Sequence, residues 1–324
     1  MGLRHSAAAL TVATLLLGYL IGGGAQLSLA LLTDSENDPS TFTTAASFPD
    51  TTAPTVASSV ISKTTLYLPG FVRQGGAYYV YANVTDAGSG VATVRANVST
   101  VTTGQTALAL VAGSYSIGGV SYNYRSASVT ANAVLTEGAK AYTITATDVA
   151  TNSVTQGGFS VTVDNTRPTG TNVQTTNAGV AGQPGLGDTM TLTFSEQIDP
   201  QTVLAAWTGP STGVVVRITQ AAGGDQVTVR NAANTAVLPL GTVNLVGTNY
   251  VTANRDFGAT GTASTMVLAG NAITITLGTP SGAVGTQAVA NNMIWTPSAT
   301  ATDRAGNTCQ TTNATEAIPL DVDF

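Results

Sequence analysis

The sequence predicts an all-β chain: two tandem β-sandwiches behind an N-terminal leader. Three observations carry that expectation. Of 324 residues, 43% are apolar and only 9% charged; Thr and Val, which favour strands, and Gly and Asn, which favour turns, fill the gap. Short apolar runs alternate with period two between turn signals, the pattern of a sandwich. The same punctuation is also written twice. Asp148-Val149-Ala150-Thr151-Asn152 reappears as Asp303-Arg304-Ala305-Gly306-Asn307, and each follows a lead-in of Asp, three residues, Pro and Thr, at Asp50–Thr55 and Asp164–Thr169. The length suits two modest domains. The expected division is a signal peptide at 1–30, an extended segment at 31–49, and sandwiches at 50–166 and 167–324.

The leader comes first. Arg4 and His5 precede an apolar run centred on Leu15, Leu16 and Leu17, followed by small residues at Gly22–Ala25, Ser28 and Ala30. That is the order of a secretory signal peptide, with cleavage after Ala25 or Ala30. The rival is an uncleaved anchor, since Ser6–Ala25 is long enough to span a bilayer. Secretion is therefore expected, with membrane contact only through an uncleaved leader. The next residues, Thr33-Asp34-Ser35-Glu36 and Thr41-Phe42-Thr43, resemble the mature start of camelysin-like and biofilm-fibre proteins. Leu32 stands where that pattern favours an aromatic, and Pro39-Ser40 interrupts its second half. The resemblance implies a cell-surface or matrix setting. Camelysin's protease activity does not carry over, because no histidine follows to bind zinc.

In the first unit, Tyr79 and Tyr81 alternate against Tyr78, Val80, Ala82 and Val84. Val94 and Val98 then alternate against Arg95 and Asn97; Tyr142, Ile144 and Ala146 share a face, as do Phe159, Val161 and Val163. The loop Asp86–Gly90 is similar to one common in bacterial immunoglobulin-like domains; no disulfide pins this unit, which sets it apart from antibody domains. In the second unit Met190, Leu192 and Phe194 alternate. Asp199-Pro200 then predicts one short helix ending near Trp207, since Pro suits the first helical position. The terminal residues Ile318, Leu320, Val322 and Phe324 alternate as a last strand. Thr193-Phe194-Ser195-Glu196-Gln197-Ile198-Asp199-Pro200 near the start and Asp303–Asn307 near the end resemble the immunoglobulin-like modules of bacterial surface-layer proteins. A terminal aromatic on an alternating strand also marks outer-membrane barrels. The low aromatic content and the proline lead-ins speak against that alternative.

Composition also bounds the chemistry. The only histidine is His5 and the only cysteine is Cys309. Once the leader is removed, no Ser-His-Asp triad, Cys-His dyad or histidine-ligated zinc site can be assembled. A net charge of −6 with eleven basic residues leaves no electrostatic footprint for nucleic acid. A carboxylate-pair glycosidase needs two acids about 5–10 Å apart in an aromatic cleft. Glu36, Glu137 and Glu316 read as loop or linker residues, and Trp207 and Trp295 as core. No enzyme activity is expected.

What remains is the acidic loops. Asp148 and Asp164 flank one strand and so lie roughly 30 Å apart. Sandwich topology instead brings together a lead-in, a B–C loop and an F–G loop. That gathers Asp50, Asp86 and Asp148 in the first unit. In the second it gathers Asp164, Glu196, Asp199 and Asp303 at the boundary with the first. Two readings stand side by side: a calcium site between domains, built of hard oxygen ligands, or Asp and Asn residues bonding their own turns. No cofactor other than calcium is expected. The partners expected are other surface or matrix proteins, a second copy pairing through residues 31–48, or glycans. For glycans, the tyrosines of Tyr78–Tyr81 and Tyr122–Tyr124 are the candidate platform.

Overall fold

In the computed structural model, residues 49–63, 68–317 and 321–324 are described. The leader, the segment up to Phe48, and Ile318 and Leu320 of the expected last strand lie outside them. Residues 49–324 form one compact unit, nearly all β, built from two sheets, each with its own hydrophobic core.

The first sheet uses β1 (Thr55–Lys63), β2 (Phe71–Val72), β3 (Ala77–Thr85), β4 (Val91–Asn97), β5 (Leu108–Ile117), β6 (Val120–Ser126), β7 (Val129–Thr130), β8 (Gly138–Asp148) and β9 (Ser153–Val163). Its order is β1-β3-β6-β5-β4-β8-β9-β2, with β7 on β3. The layer β1-β3-β6-β5 faces the layer β4-β8-β9-β2, the arrangement of a β-sandwich. β5 and β4 join the layers through a short antiparallel register, Val94 opposite Leu110. The expected alternation holds along β3. Tyr78, Val80, Ala82 and Val84 enter the core with Tyr142, Ile144, Val161 and Val163, while Tyr81 is buried in a separate small cluster on the other face.

The second sheet uses β10 (Gly170–Thr176), β11 (Thr189–Phe194), β12 (Thr212–Thr219), β13 (Gln226–Asn231), β14 (Thr242–Asn244), β15 (Arg255–Phe257), β16 (Ser264–Ala269), β17 (Ala272–Thr276), β18 (Ile294–Thr296) and β19 (Ala314–Thr315). The order is β10-β11-β17-β16-β12-β13-β14-β18-β19, with β15 on β12. Trp295 and Phe194 meet edge-on at 4.8 Å in its core. Gly170 leaves them room, because a Cβ there would come within 2.8 Å of the indole.

Two expectations need correction. The helix α1 spans only Pro200–Val203, capped by the Asp199 side chain on the Gln201 N–H. It stops short of Trp207 because the chain turns extended at Leu204 and left-handed at Ala206 (φ +63°). The indole N–H of Trp207 then bonds the Pro210 carbonyl at 2.6 Å. At the C-terminal end, among the described residues 321–324 only Asp321 makes a ladder-type bridge, to Asn291. Phe324 nonetheless buries its ring against Tyr250.

Candidate functional site

The two Asp-x-Ala-x-Asn turns are built alike around their asparagines; the second adds a bond from the Gly306 N–H to Asp303 Oδ1 at 2.7 Å. Asp148 ends β8 and Asn152 precedes β9. The Asn152 N–H donates to Asp148 Oδ1 at 2.7 Å, and its Nδ2 donates to Asp148 Oδ2 at 2.7 Å and to the Asp50 carbonyl at 3.0 Å. Asn307 repeats all three bonds, to Asp303 Oδ1 at 2.8 Å, to Asp303 Oδ2 at 2.8 Å and to the Asp164 carbonyl at 2.9 Å. The aspartate organises its own turn, and the asparagine pegs that turn to the lead-in of the same sandwich. The position before each asparagine needs a left-handed backbone: Gly306 at φ +94° and Thr151 at φ +75°. Only the glycine takes it without steric cost.

Around each turn the acids converge. Asp50, Asp86 and Asp148 place carboxylate oxygens within 4.8 Å of one another, and Asp164, Glu196 and Asp303 do the same. In the first group Asp86 Oδ2 accepts from the Gly88 and Gly90 N–H groups at 3.0 and 2.7 Å, but its Oδ1 is buried with no hydrogen-bond partner. The Ser89 N–H, helped by Thr52, holds the Asp50 carboxyl below its ordinary range. In the second group Glu196 Oε1 is likewise buried without a partner. Burial first, then the charges of Asp164 and Asp303, push the Glu196 carboxyl up to about 7. Burial also raises Asp303. A carboxylate oxygen hidden from water and lacking a donor is costly unless a proton or a cation sits beside it. Three convergent carboxylates fit a hard, oxygen-seeking divalent cation such as calcium.

Asp199 is not part of this group. Its Oδ2 pairs with Lys63 Nζ at 2.7 Å, and the same ammonium donates to the Asp303 carbonyl at 2.7 Å. Lys63 ends β1 of the first sandwich, and both partners belong to the second. The residue is drawn away because it caps α1 and because a buried cation needs a buried anion. Beside it the Arg304 guanidinium stacks 4.0 Å over the Phe71 ring. The boundary between the sandwiches is therefore a packed, bonded surface.

A third acidic group escaped the sequence reading. Glu316, Asp321 and Asp323 also bring oxygens within 4.8 Å, and Glu316 and Asp323 are buried. Glu316 is no linker residue: it accepts from Gln174 Nε2 at 2.9 Å and from the Met293 N–H at 3.1 Å. Asp323 accepts from the Tyr250 hydroxyl at 3.0 Å and the Thr175 hydroxyl at 3.2 Å. Burial, reinforced by Glu316, lifts Asp323 to about 7. The crowding of Glu316, Asp321 and Asp323 into eight residues was the available signal.

Trp207 and Trp295 are core residues. Cys309 is buried, and burial pushes its thiol up to about 11, far from the reactive range. Among the described residues no helix is long and apolar enough to cross a membrane. No family model matches the chain, and no curated protein does.

Proposed function

We propose that the protein is a secreted, non-enzymatic component of a cell surface or extracellular matrix. In this reading it is a structural or adhesive spacer whose inter-sandwich junction takes a calcium ion. The observation that carries the reading is the junction itself. The acidic pole of the second sandwich is bonded to the first through Lys63, while Asp164, Glu196 and Asp303 gather beside that contact. A cation there would tie the lead-in, the loop after β11 and the F–G turn together, stiffening a two-module rod. The leader and the fibre-protein resemblance of residues 31–48 support the extracellular setting.

Calcium is expected to raise the melting temperature of the full chain, and a chelator to reverse the rise. At about a hundredfold excess over Kd the gain is about 2.7 kcal/mol. Because Glu196 holds its proton up to about 7, the shift should be larger at pH 8 than at pH 6. Equal midpoints with and without chelator at pH 8 would remove the cation from the reading. Location is checked separately by fractionating the producing cells. The protein is expected in the medium or the surface fraction, and recovery in the cytosol would overturn the extracellular assignment.

The second reading, a carbohydrate-binding module, is favoured by one observation: a tyrosine cluster on the outer face of the first sandwich.

A further inference from the structure

The outer face of the β1-β3-β6-β5 layer carries an aromatic assembly separate from the main core. Tyr81, Ile117 and Tyr122 are buried there, with Val60, Tyr79 and Tyr115 packed around them. Tyr81 meets Tyr79 and Tyr115 edge-on, each at 6.2 Å, and Tyr122 at 5.8 Å. Arg125 fills the slot between the two outer rings, its guanidinium carbon 4.6 Å from the centre of Tyr79 and 4.5 Å from that of Tyr115. The register produces this arrangement. Tyr81 stands opposite Arg125, and Arg125 opposite Val111. A bulge between Ala112 and Tyr115 then lets the Tyr115 ring fold back over Gly113. Any side chain at Gly113 would block it, because a Cβ would lie 2.7 Å from the Tyr115 hydroxyl.

No carboxylate pairs with Arg125 among the described residues; the two ion pairs found there use Lys63 and Arg217. Burial raises the Tyr81 hydroxyl, and Arg125 beside it partly offsets that rise. A guanidinium has five N–H donors in one plane, and stacking occupies its faces rather than that edge. The rim is open: Val111 and Val120 are 64% and 48% exposed. In a chain of net charge −6, a rigidly held cation without an acid, flanked by aromatic rings, matches one ligand chemistry. It suits a carboxylate, for the guanidinium fork, carried on a ring with apolar C–H faces to lie against tyrosine. We propose that this face binds an acidic polysaccharide through its uronate residues. The proposal rests on the glycan-binding reading and names its ligand class.

The test measures binding of the full chain to polygalacturonate by calorimetry, with dextran and dextran sulfate as comparisons. Binding to polygalacturonate is expected, weakened by salt, and absent with dextran. Arg125→Gln should weaken it about tenfold or more. Because Arg125→Gln also loosens the tyrosine cluster, Val111→Asp provides a second variant. It changes an exposed residue beside Arg125, supplies a competing carboxylate, and should abolish binding while leaving the melting temperature unchanged. Four outcomes would overturn the proposal: no binding by the wild-type chain, equal binding to dextran, equal or tighter binding to dextran sulfate, or binding indifferent to Val111→Asp. Self-association lost in Val111→Asp without polygalacturonate binding would instead make the face a contact between copies. None of these outcomes touches the calcium-dependent melting, so failure here and failure at the junction are separable.

Discussion

Replacing Lys63 with methionine is expected to cost about 3–5 kcal/mol, the range for removing one partner of a buried ion pair. Asp199 has no exposed surface and Lys63 almost none, so neither water nor salt can substitute for the lost ammonium. The Asp303 carbonyl would lose its shortest bond as well, keeping those from the Gly306 N–H and the Thr302 hydroxyl, each at 3.2 Å. Methionine keeps most of the side-chain volume, which separates the charge effect from a cavity effect. The double variant Lys63→Met, Asp199→Leu should recover part of the loss, since removing both charges abolishes the desolvation penalty, although α1 then lacks its cap. Chemical denaturation followed by tryptophan fluorescence reads the effect, because Trp207 and Trp295 both lie in the second sandwich. A cost below about 1 kcal/mol, the range of a surface pair, would mean that the junction is wetter than its geometry implies.

The second large effect is pH dependence at the opposite end of the second sandwich. Asp323 rises from an ordinary 3.8 to about 7 on folding. A carboxyl with a raised folded-state pKa favours the folded protein fully below its unfolded value. That contribution fades as pH climbs from about 4 to about 7. The rise of roughly three units corresponds to something on the order of 4 kcal/mol, shared with neighbouring Glu316, which burial also raises. Tyr250, Thr175, Glu316 and Asp321 are the groups that act on Asp323. Asp323→Asn keeps the shape and a carbonyl acceptor for Tyr250 but cannot ionise. The variant is expected to be more stable than the parent at pH 8 and close to it at pH 4, measured by urea titration at each pH. A parent advantage at both values would show that the ionised form is the native one.

Much of the fold could be read from the sequence because strand alternation is a local signal. The stretch from Tyr78 to Val84 declares its own inner and outer faces, and the structure buries the inner one as expected. The convergence of Asp50, Asp86 and Asp148, and of Asp164, Glu196 and Asp303, followed from placing lead-ins and F–G turns at one end of a sandwich. What the sequence did not expose was long-range partner choice. Asp199 looked like one more acid in an acidic loop, and only the distant Lys63, brought in at the end of β1, draws it into an ion pair. The length of α1 was overestimated because Ala205 and Ala206 favour helix locally while the fold of Trp207 onto Pro210 ends it. Glu316 was misplaced because its burial depends on Gln174 and Met293, both remote in sequence. Arg125 gave no periodic signal, and its role appears only once β3, β5 and β6 lie side by side.

The first sandwich also has a short parallel pair, β2 on β9, in which the Thr162 N–H bonds the Gly70 carbonyl and the Asp164 N–H bonds the Val72 carbonyl, each at 2.9 Å. The chain enters this sandwich at Asp50 and leaves it at Asp164. A pull between those points reaches β2 only through β1; once β1 has left β3 it slides β2 and β9 lengthwise past each other, so both bonds are strained together instead of peeling open in turn. Resistance to stretching would then concentrate in a few residues near the exit rather than spread along the longer hairpins, and a proline at Thr162 would weaken it most.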